Sequence, residues 1–225
     1  MASGWPHLPR VRRLIIDVVS DVICPWCLIG SRRLDQALET LPDVHAEVTY
    51  HPFLLDSSTP VEGVDLRERL AKKYGIPPER MFARVEAAAR ESGIPLDFAK
   101  ITKVASTVGS HTLLRHAVAK GTQRALVRGL YEAYFFEGKN IGDKGELAAI
   151  AAEHGFTRDE ALAILDDAEE LRATLGEAET TARQGITGVP FFIFDQKLAL
   201  SGAQPVSVMQ QAISQALDEE PAAAG

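Results

Sequence analysis

A pair of cysteines three residues apart, Cys24 and Cys27, stands where a strand-like run gives way to a helix-like one, and this stretch constrains the fold most tightly. They are the only two cysteines in the sequence. Before them, Leu14-Ile15-Ile16-Asp17-Val18-Val19 reads as a buried strand, a short run rich in Ile and Val that suits a central sheet position. After them, Leu34, Ala37, Leu38 and Leu41 recur at the spacing of one helical stripe. The cysteines are therefore expected to open a helix.

That placement carries chemistry. The first N–H groups of a helix lack intrahelical acceptors and form the positive end of its dipole, so an anion there is stabilised, and a Cys24 thiolate would be that anion. Cys27 lies one turn on, on the same face, and can close a disulfide with it. Pro25 fits a first turn that has no use for its missing N–H, and Trp26 offers an apolar contact to a substrate chain. A structural zinc site is the rival reading, but zinc takes four ligands. No second CxxC or closely spaced His pair exists, and His111 and His116 are five apart, off any common helical face, so no metal is expected. Two inert core cysteines are the blander alternative, since free Cys is often simply buried.

A chain of 225 residues, 46% hydrophobic, can bury a substantial core as one large domain or a domain with an insertion. A net charge of −7 argues against a general nucleic-acid binder. No run reaches the roughly 18–20 apolar residues of a membrane helix. The stretch from Met1 to Arg13 lacks the apolar core of a signal peptide, which leads us to expect a cytoplasmic protein, where a lone cysteine pair is catalytic or redox-sensing rather than a staple.

Further along, Ala46 to Phe53 reads as a second strand, with Pro52 marking an end or an edge. From about Asp65 to Gly185 the pattern is almost wholly helical, punctuated by glycines at Gly75, Gly93, Gly121, Gly138, Gly155 and Gly185. Leu66, Leu70 and Tyr74 form one stripe, and Phe82, Val85 and Ala89 another. Asp143 with Glu146, and Thr157 with Glu160, have capping-box spacing. Tyr131, Tyr134, Phe135 and Phe136 read first as core packing and second as an apolar wall above the cysteines. Val189 to Phe194 is a buried strand, Asp195-Gln196-Lys197 a tight turn and Leu198 to Gly202 its hairpin partner. Pro205 opens a last helix carrying Val206, Met209, Ile213 and Leu217 on one face. The order is βαβ, a long helical insertion, then ββα, an α/β architecture.

A CxxC at the head of a helix after such a first strand reads as a thioredoxin-like redox motif. The whole order resembles the DsbA family. The CPWC motif, the run Tyr134 to Asp143, Gly188-Val189-Pro190-Phe191-Phe192 and Ser201-Gly202-Ala203-Gln204-Pro205 resemble its FrnE-like branch over roughly Leu14 to Leu217. The resemblance implies a thioredoxin-like fold with a large inserted helical domain: 14–62 and 166–218 as the two parts of the thioredoxin-like domain, 63–165 as the insertion, and 1–13 and 219–225 as flexible tails. It implies Cys24 as nucleophile and Cys27 as resolving thiol, and Pro190 as a cis-proline opposite them. Val189 would then offer its backbone to an extended substrate segment. Pro25-Trp26 stands where periplasmic DsbA has Pro-His, and Ser106-Thr107 with Ser110-His111-Thr112 stands where FrnE-like chains often carry Asn-Thr before Ala-His-Arg. His111 reads as a satisfied structural histidine.

The leading functional expectation is a thiol-disulfide oxidoreductase or isomerase acting on cysteine-containing proteins or small thiols, without a bound cofactor, with Pro25, Trp26, Val189 and Pro190 binding substrate. A glutathione-dependent isomerase or transferase, with glutathione as co-substrate, is the second, and a chaperone-like client binder with an apolar cleft the third. A homodimer is compatible with the sequence.

Overall fold

The computed structural model describes residues 12–218, so of the expected tails 1–13 and 219–225 all but Arg12 and Arg13 lie outside the described residues, and those two belong to the first strand rather than to a tail because they pair with Val44 and His45. Among the described residues, six strands and nine α-helices follow one another as β1 (Arg12–Ser20), α1 (Pro25–Glu39), β2 (Val44–Pro52), β3 (Val64–Asp65), α2 (Leu66–Tyr74), α3 (Pro78–Glu91), β4 (Lys103–Val104), α4 (Val108–Lys120), α5 (Gln123–Tyr131), α6 (Lys144–Ala152), α7 (Arg158–Asp166), α8 (Ala168–Arg183), β5 (Phe191–Phe194), β6 (Leu198–Ser201) and α9 (Val206–Asp218). The main sheet has the order β2-β1-β5-β6. This is the expected mixed α/β fold, βαβ and ββα units separated by a helical insertion.

β1 is central because both its edges are used. It runs parallel to β2, with Ile16 opposite Val48, and antiparallel to β5, with Ile16 opposite Phe194. Leu14, Ile16 and Val18 point into the core with the period of two that a strand imposes, while Ile15 between them is 51% exposed, so the first half of the strand is covered on one face only. The strand begins at Arg12, two residues before the apolar run, because pairing with Val44 extends it. Pro52 is both the last residue of β2 and on an edge strand, where its missing N–H costs no ladder bond. The hairpin turns through the three residues Asp195–Lys197, with Asp195 and Gln196 at φ 49° and 57° and the Lys197 N–H donating to the Phe194 carbonyl at 2.9 Å, and α9 packs over β1, β5 and β6 through Met209 and Ile213.

Between the two halves of the sheet the chain is not uniformly helical. Val64 pairs with Val104 in a two-stranded ribbon, β3 with β4, that ties the start of α2 to the segment before α4. Two residues per strand are too few to leave a periodic signature. Thr157 and Glu160 form the expected reciprocal capping box on α7, whereas on α6 only half of the pattern is made, the Asp143 side chain accepting from the Glu146 N–H. After α5 the helix widens into a π turn over Glu132–Phe136, closed by the Glu137 N–H on the Glu132 carbonyl at 3.2 Å. The chain then reverses at Gly138, where an added Cβ would stand 2.4 Å from the Lys100 carbonyl oxygen, so only glycine fits.

Candidate active site

Cys24 is the N-cap residue of α1, in extended backbone conformation, and Pro25 occupies the first turn as the sequence predicts. The Cys24 N–H donates to the Asp21 carbonyl at 3.0 Å, and the Cys24 carbonyl accepts from the Cys27 N–H at 3.0 Å. These bonds hold the motif in a tight turn before the helix proper. The two cysteines approach to 3.5 Å and both are free thiols.

They differ in access. Cys24 is 5% exposed and Cys27 is fully buried, so only Cys24 meets the surface. Burial, reinforced by the neighbouring Cys24 side chain, pushes the Cys27 thiol well above its usual range. Cys27 is therefore a neutral thiol near pH 7.

Two segments distant in sequence close over the pair. The Val189-Pro190 bond is cis, and the Cys24 thiol lies 3.9 Å from the Val189 carbonyl oxygen. Pro190 is buried and Val189 half-buried. α1 can come this near because of Gly30, where a Cβ would lie 2.9 Å from Pro190 Cγ and 3.0 Å from Phe192 Cζ. Beneath the motif, the carboxylate of Asp21 is fully buried, with Oδ2 accepting from the Leu55 N–H at 2.8 Å and Oδ1 3.4 Å from Nε2 of His111. His111 is 2% exposed. The contact agrees with its reading as a satisfied structural histidine. Asp21 was not singled out by sequence, although an acidic residue closing an apolar run was the signal available.

Outward from Cys24 runs a cleft of about 340 Å³, bordered by Pro25, Trp26 and Val189 on one side and by α2 and α3 on the other. Its apolar wall includes Leu66, Leu70, Phe82 and Val85. Phe82 stacks on Phe98 with centroids 4.2 Å apart. Tyr134 and Phe135 are buried and also line the cleft, so both readings hold for these two, whereas Tyr131, buried, and Phe136, half-buried, border a separate hollow beside Leu28 and Asp35 of α1 and take no part in the wall. Tyr134 donates its hydroxyl to the Lys103 carbonyl at 2.9 Å. The stripe on α2 departs from expectation. Leu66 is buried but Tyr74 is 51% exposed, because that face turns to the cleft rather than to a packed neighbour. Among the described residues, no group of three or more His, Cys, Asp or Glu side chains is gathered to hold a metal ion.

Comparison with known proteins agrees with this geometry. The model of the family described as "DSBA-like thioredoxin domain" matches residues 15–214. A probable DsbA oxidoreductase from Streptomyces coelicolor is 31% identical with a TM-score of 0.82, the match covering 93% of this chain and 92% of that one. An uncharacterised Bacillus subtilis protein, YwbO, is 27% identical over 88% of this chain and 95% of its own length. The cytosolic disulfide reductase DsbM from Pseudomonas aeruginosa, in a structure with GSH, is 20% identical with a TM-score of 0.62, covering 89% of this chain and 98% of that one, a likeness of fold.

Proposed function

From the fact that the chain belongs to the DSBA-like thioredoxin domain family, we propose that Cys24 and Cys27 are the redox couple of a thiol-disulfide oxidoreductase or isomerase acting on protein disulfides. The observation that carries this reading is the asymmetry of the pair: two free thiols 3.5 Å apart, one at the foot of a cleft and one buried behind it. In the reducing direction, a Cys24 thiolate attacks one sulfur of the substrate disulfide. The S–S bond breaks and the leaving sulfur takes up a proton. Cys27, having lost its proton, attacks the Cys24 sulfur, releases the second substrate thiol and leaves the enzyme as a disulfide. Run backwards, the same steps give a disulfide to the substrate. The raised Cys27 value supports the order, because a neutral buried thiol does not compete for the first attack.

In this reading Pro25 and Trp26 face the substrate from α1, and Val189 offers its carbonyl beside Cys24, held there by Pro190. We extend the proposal to the FrnE-like branch, to the division of the chain at 62/63 and 165/166, and to a cytoplasmic setting in which glutathione serves as co-substrate. The cytosolic name of the DsbM relative and its GSH complex favour that setting.

The test is a redox titration in graded glutathione buffers, quenched with a thiol-alkylating mass tag. The proposal expects both cysteines to lose their label together. Cys24→Ser should reduce exchange to background, and Cys27→Ser should accumulate mixed disulfides visible by intact mass. Full exchange by both variants overturns it. Isomerase activity that needs glutathione and survives Cys27→Ser would favour the glutathione-dependent reading instead.

A further inference from the structure

The cleft above Cys24 is apolar inside and cationic at its mouth, in a protein whose net charge is −7. Lys73, near the end of α2, lines it, with Nζ 5.6 Å from the centroid of the Tyr74 ring. Arg84, on α3, holds its guanidinium 5.9 Å over the ring of Trp26, the residue between the cysteines. Both side chains are exposed, and among the described residues neither has a carboxylate within 4.0 Å. Their neighbour Arg69, on the same wall, is different: it pairs with Asp56 and is neutralised within the protein. Lys73 thus stands uncompensated in the cleft wall itself, and Arg84, from a separate helix, stands over the Trp26 ring that borders the cleft beside Cys24.

The dimensions add a second constraint. A volume of about 340 Å³ lies at the small end of the roughly 300–1,000 Å³ of ligand clefts, so it accepts one or two large side chains rather than a folded surface. Inside, Leu66, Leu70, Phe82 and Val85 offer no hydrogen bond, which favours an apolar group and penalises a polar one.

Resting on the oxidoreductase reading, we infer that this site selects disulfides whose reacting cysteine is flanked by a large apolar residue and then by a carboxylate. The apolar side chain fills the cleft beside Trp26, and the carboxylate meets Lys73 and Arg84 at the mouth. Because the protein as a whole repels anions, such a preference is a property of the mouth alone.

The probe is a set of five-residue peptides with Cys at the centre, Leu or Ala beside it, and Glu or Lys two positions away. Each is capped as a mixed disulfide with 2-nitro-5-thiobenzoate. A Cys24 thiolate attacks the peptide sulfur, the S–S bond breaks, and thionitrobenzoate leaves with the electron pair as a coloured thiolate. Cys27 then gives up its proton and displaces the peptide thiolate, which takes up a proton. The enzyme dithiol is oxidised to a disulfide and the mixed disulfide is reduced to two thiols. With reduced enzyme, the Leu/Glu peptide should react fastest. Its advantage over Leu/Lys should be about tenfold at low salt, shrinking toward unity near 1 M salt as the rim charges are screened. The double variant Lys73→Glu, Arg84→Glu should reverse the Glu-to-Lys ratio while keeping the Leu-to-Ala ratio. A Glu-to-Lys ratio unmoved by the double variant or by salt, or equal rates for Leu and Ala, overturns the inference and leaves the oxidoreductase reading standing. Release no faster than that of Cys24→Ser for every peptide overturns both.

Discussion

The two walls of the cleft are built differently. The wall carrying the cysteines is packed to contact distance: Gly30 meets Pro190 and Phe192 with no room for a methyl group, Phe192 is fully buried, and Asp21 is fixed by Leu55 and His111. The opposite wall, α2 and α3, presents half-buried Leu70 and exposed Tyr74, Lys73 and Arg84. Where sulfur must meet sulfur, atoms are held by a close-packed core. In the proposed reading, the wall that would meet the substrate keeps a buried base at Leu66, Phe82 and Val85 but exposes Lys73 and Tyr74 toward it. The comparison separates positioning from selection, and perturbing each wall should give a different symptom.

The largest effect is expected at Phe192→Ala, which empties the space between β5 and α1 and should cost about 3–5 kcal/mol in urea unfolding, with loss of exchange activity in parallel. A loss under 1 kcal/mol would mean that this wall is softer than its contacts imply. Gly30→Ala comes next. In an exposed helix interior that change stabilises by about 1 kcal/mol, but here the methyl group meets the Pro190 ring, so a net cost of about 1–3 kcal/mol is expected. Slower trapping of Cys24 mixed disulfides should accompany it. Tyr74→Ala should leave stability within about 0.5 kcal/mol of the parent while changing the preference among apolar substrates. A large destabilisation would show Tyr74 to belong to the core after all.

The smallest effect concerns pH, away from both walls. His51 on β2 is hydrogen-bonded to Asp17 at 2.8 Å and faces Glu177 of α8 at 3.7 Å, and its value is raised, chiefly by Glu177. A raised histidine contributes stability that is fully present below its unfolded value near 6.5 and is lost as pH rises through its higher folded value. Thermal melts from pH 6 to 8 should therefore show a decline that His51→Gln flattens. An identical slope in the variant would remove His51 from the account.

What could be read from the sequence follows the range of the interactions involved. β1, the CPWC turn and α1 are local, fixed by composition, Pro25 and the apolar stripe, and so were legible. So were the glycine stops that cap α2 and α4 at Gly75 and Gly121. The α2 stripe was legible as a stripe but not as a cleft wall, because the pattern Leu66, Leu70, Tyr74 is the same whether a helix faces a core or a cavity. The contact of Asp21 with His111 joins residues far apart in sequence and leaves no spacing to read. Lys73 and Arg84 looked like ordinary solvated charges, since only the fold places Lys73 in the cleft wall and Arg84 over the Trp26 ring that borders the cleft.

The central position of β1 has a consequence for how the chain is made. Its parallel partner β2 follows closely, but its other edge waits for β5, with Ile16 opposite Phe194. At about 5–20 residues per second, synthesis leaves that edge open for roughly ten seconds or more. Throughout that interval the nascent chain carries an unpaired strand edge and a dithiol not yet covered by Val189 and Pro190. The helical segment, rich in short-range contacts, can fold in the meantime. Cys24, the first of the pair, is thus made 165 residues ahead of Val189, in the segment that closes over them.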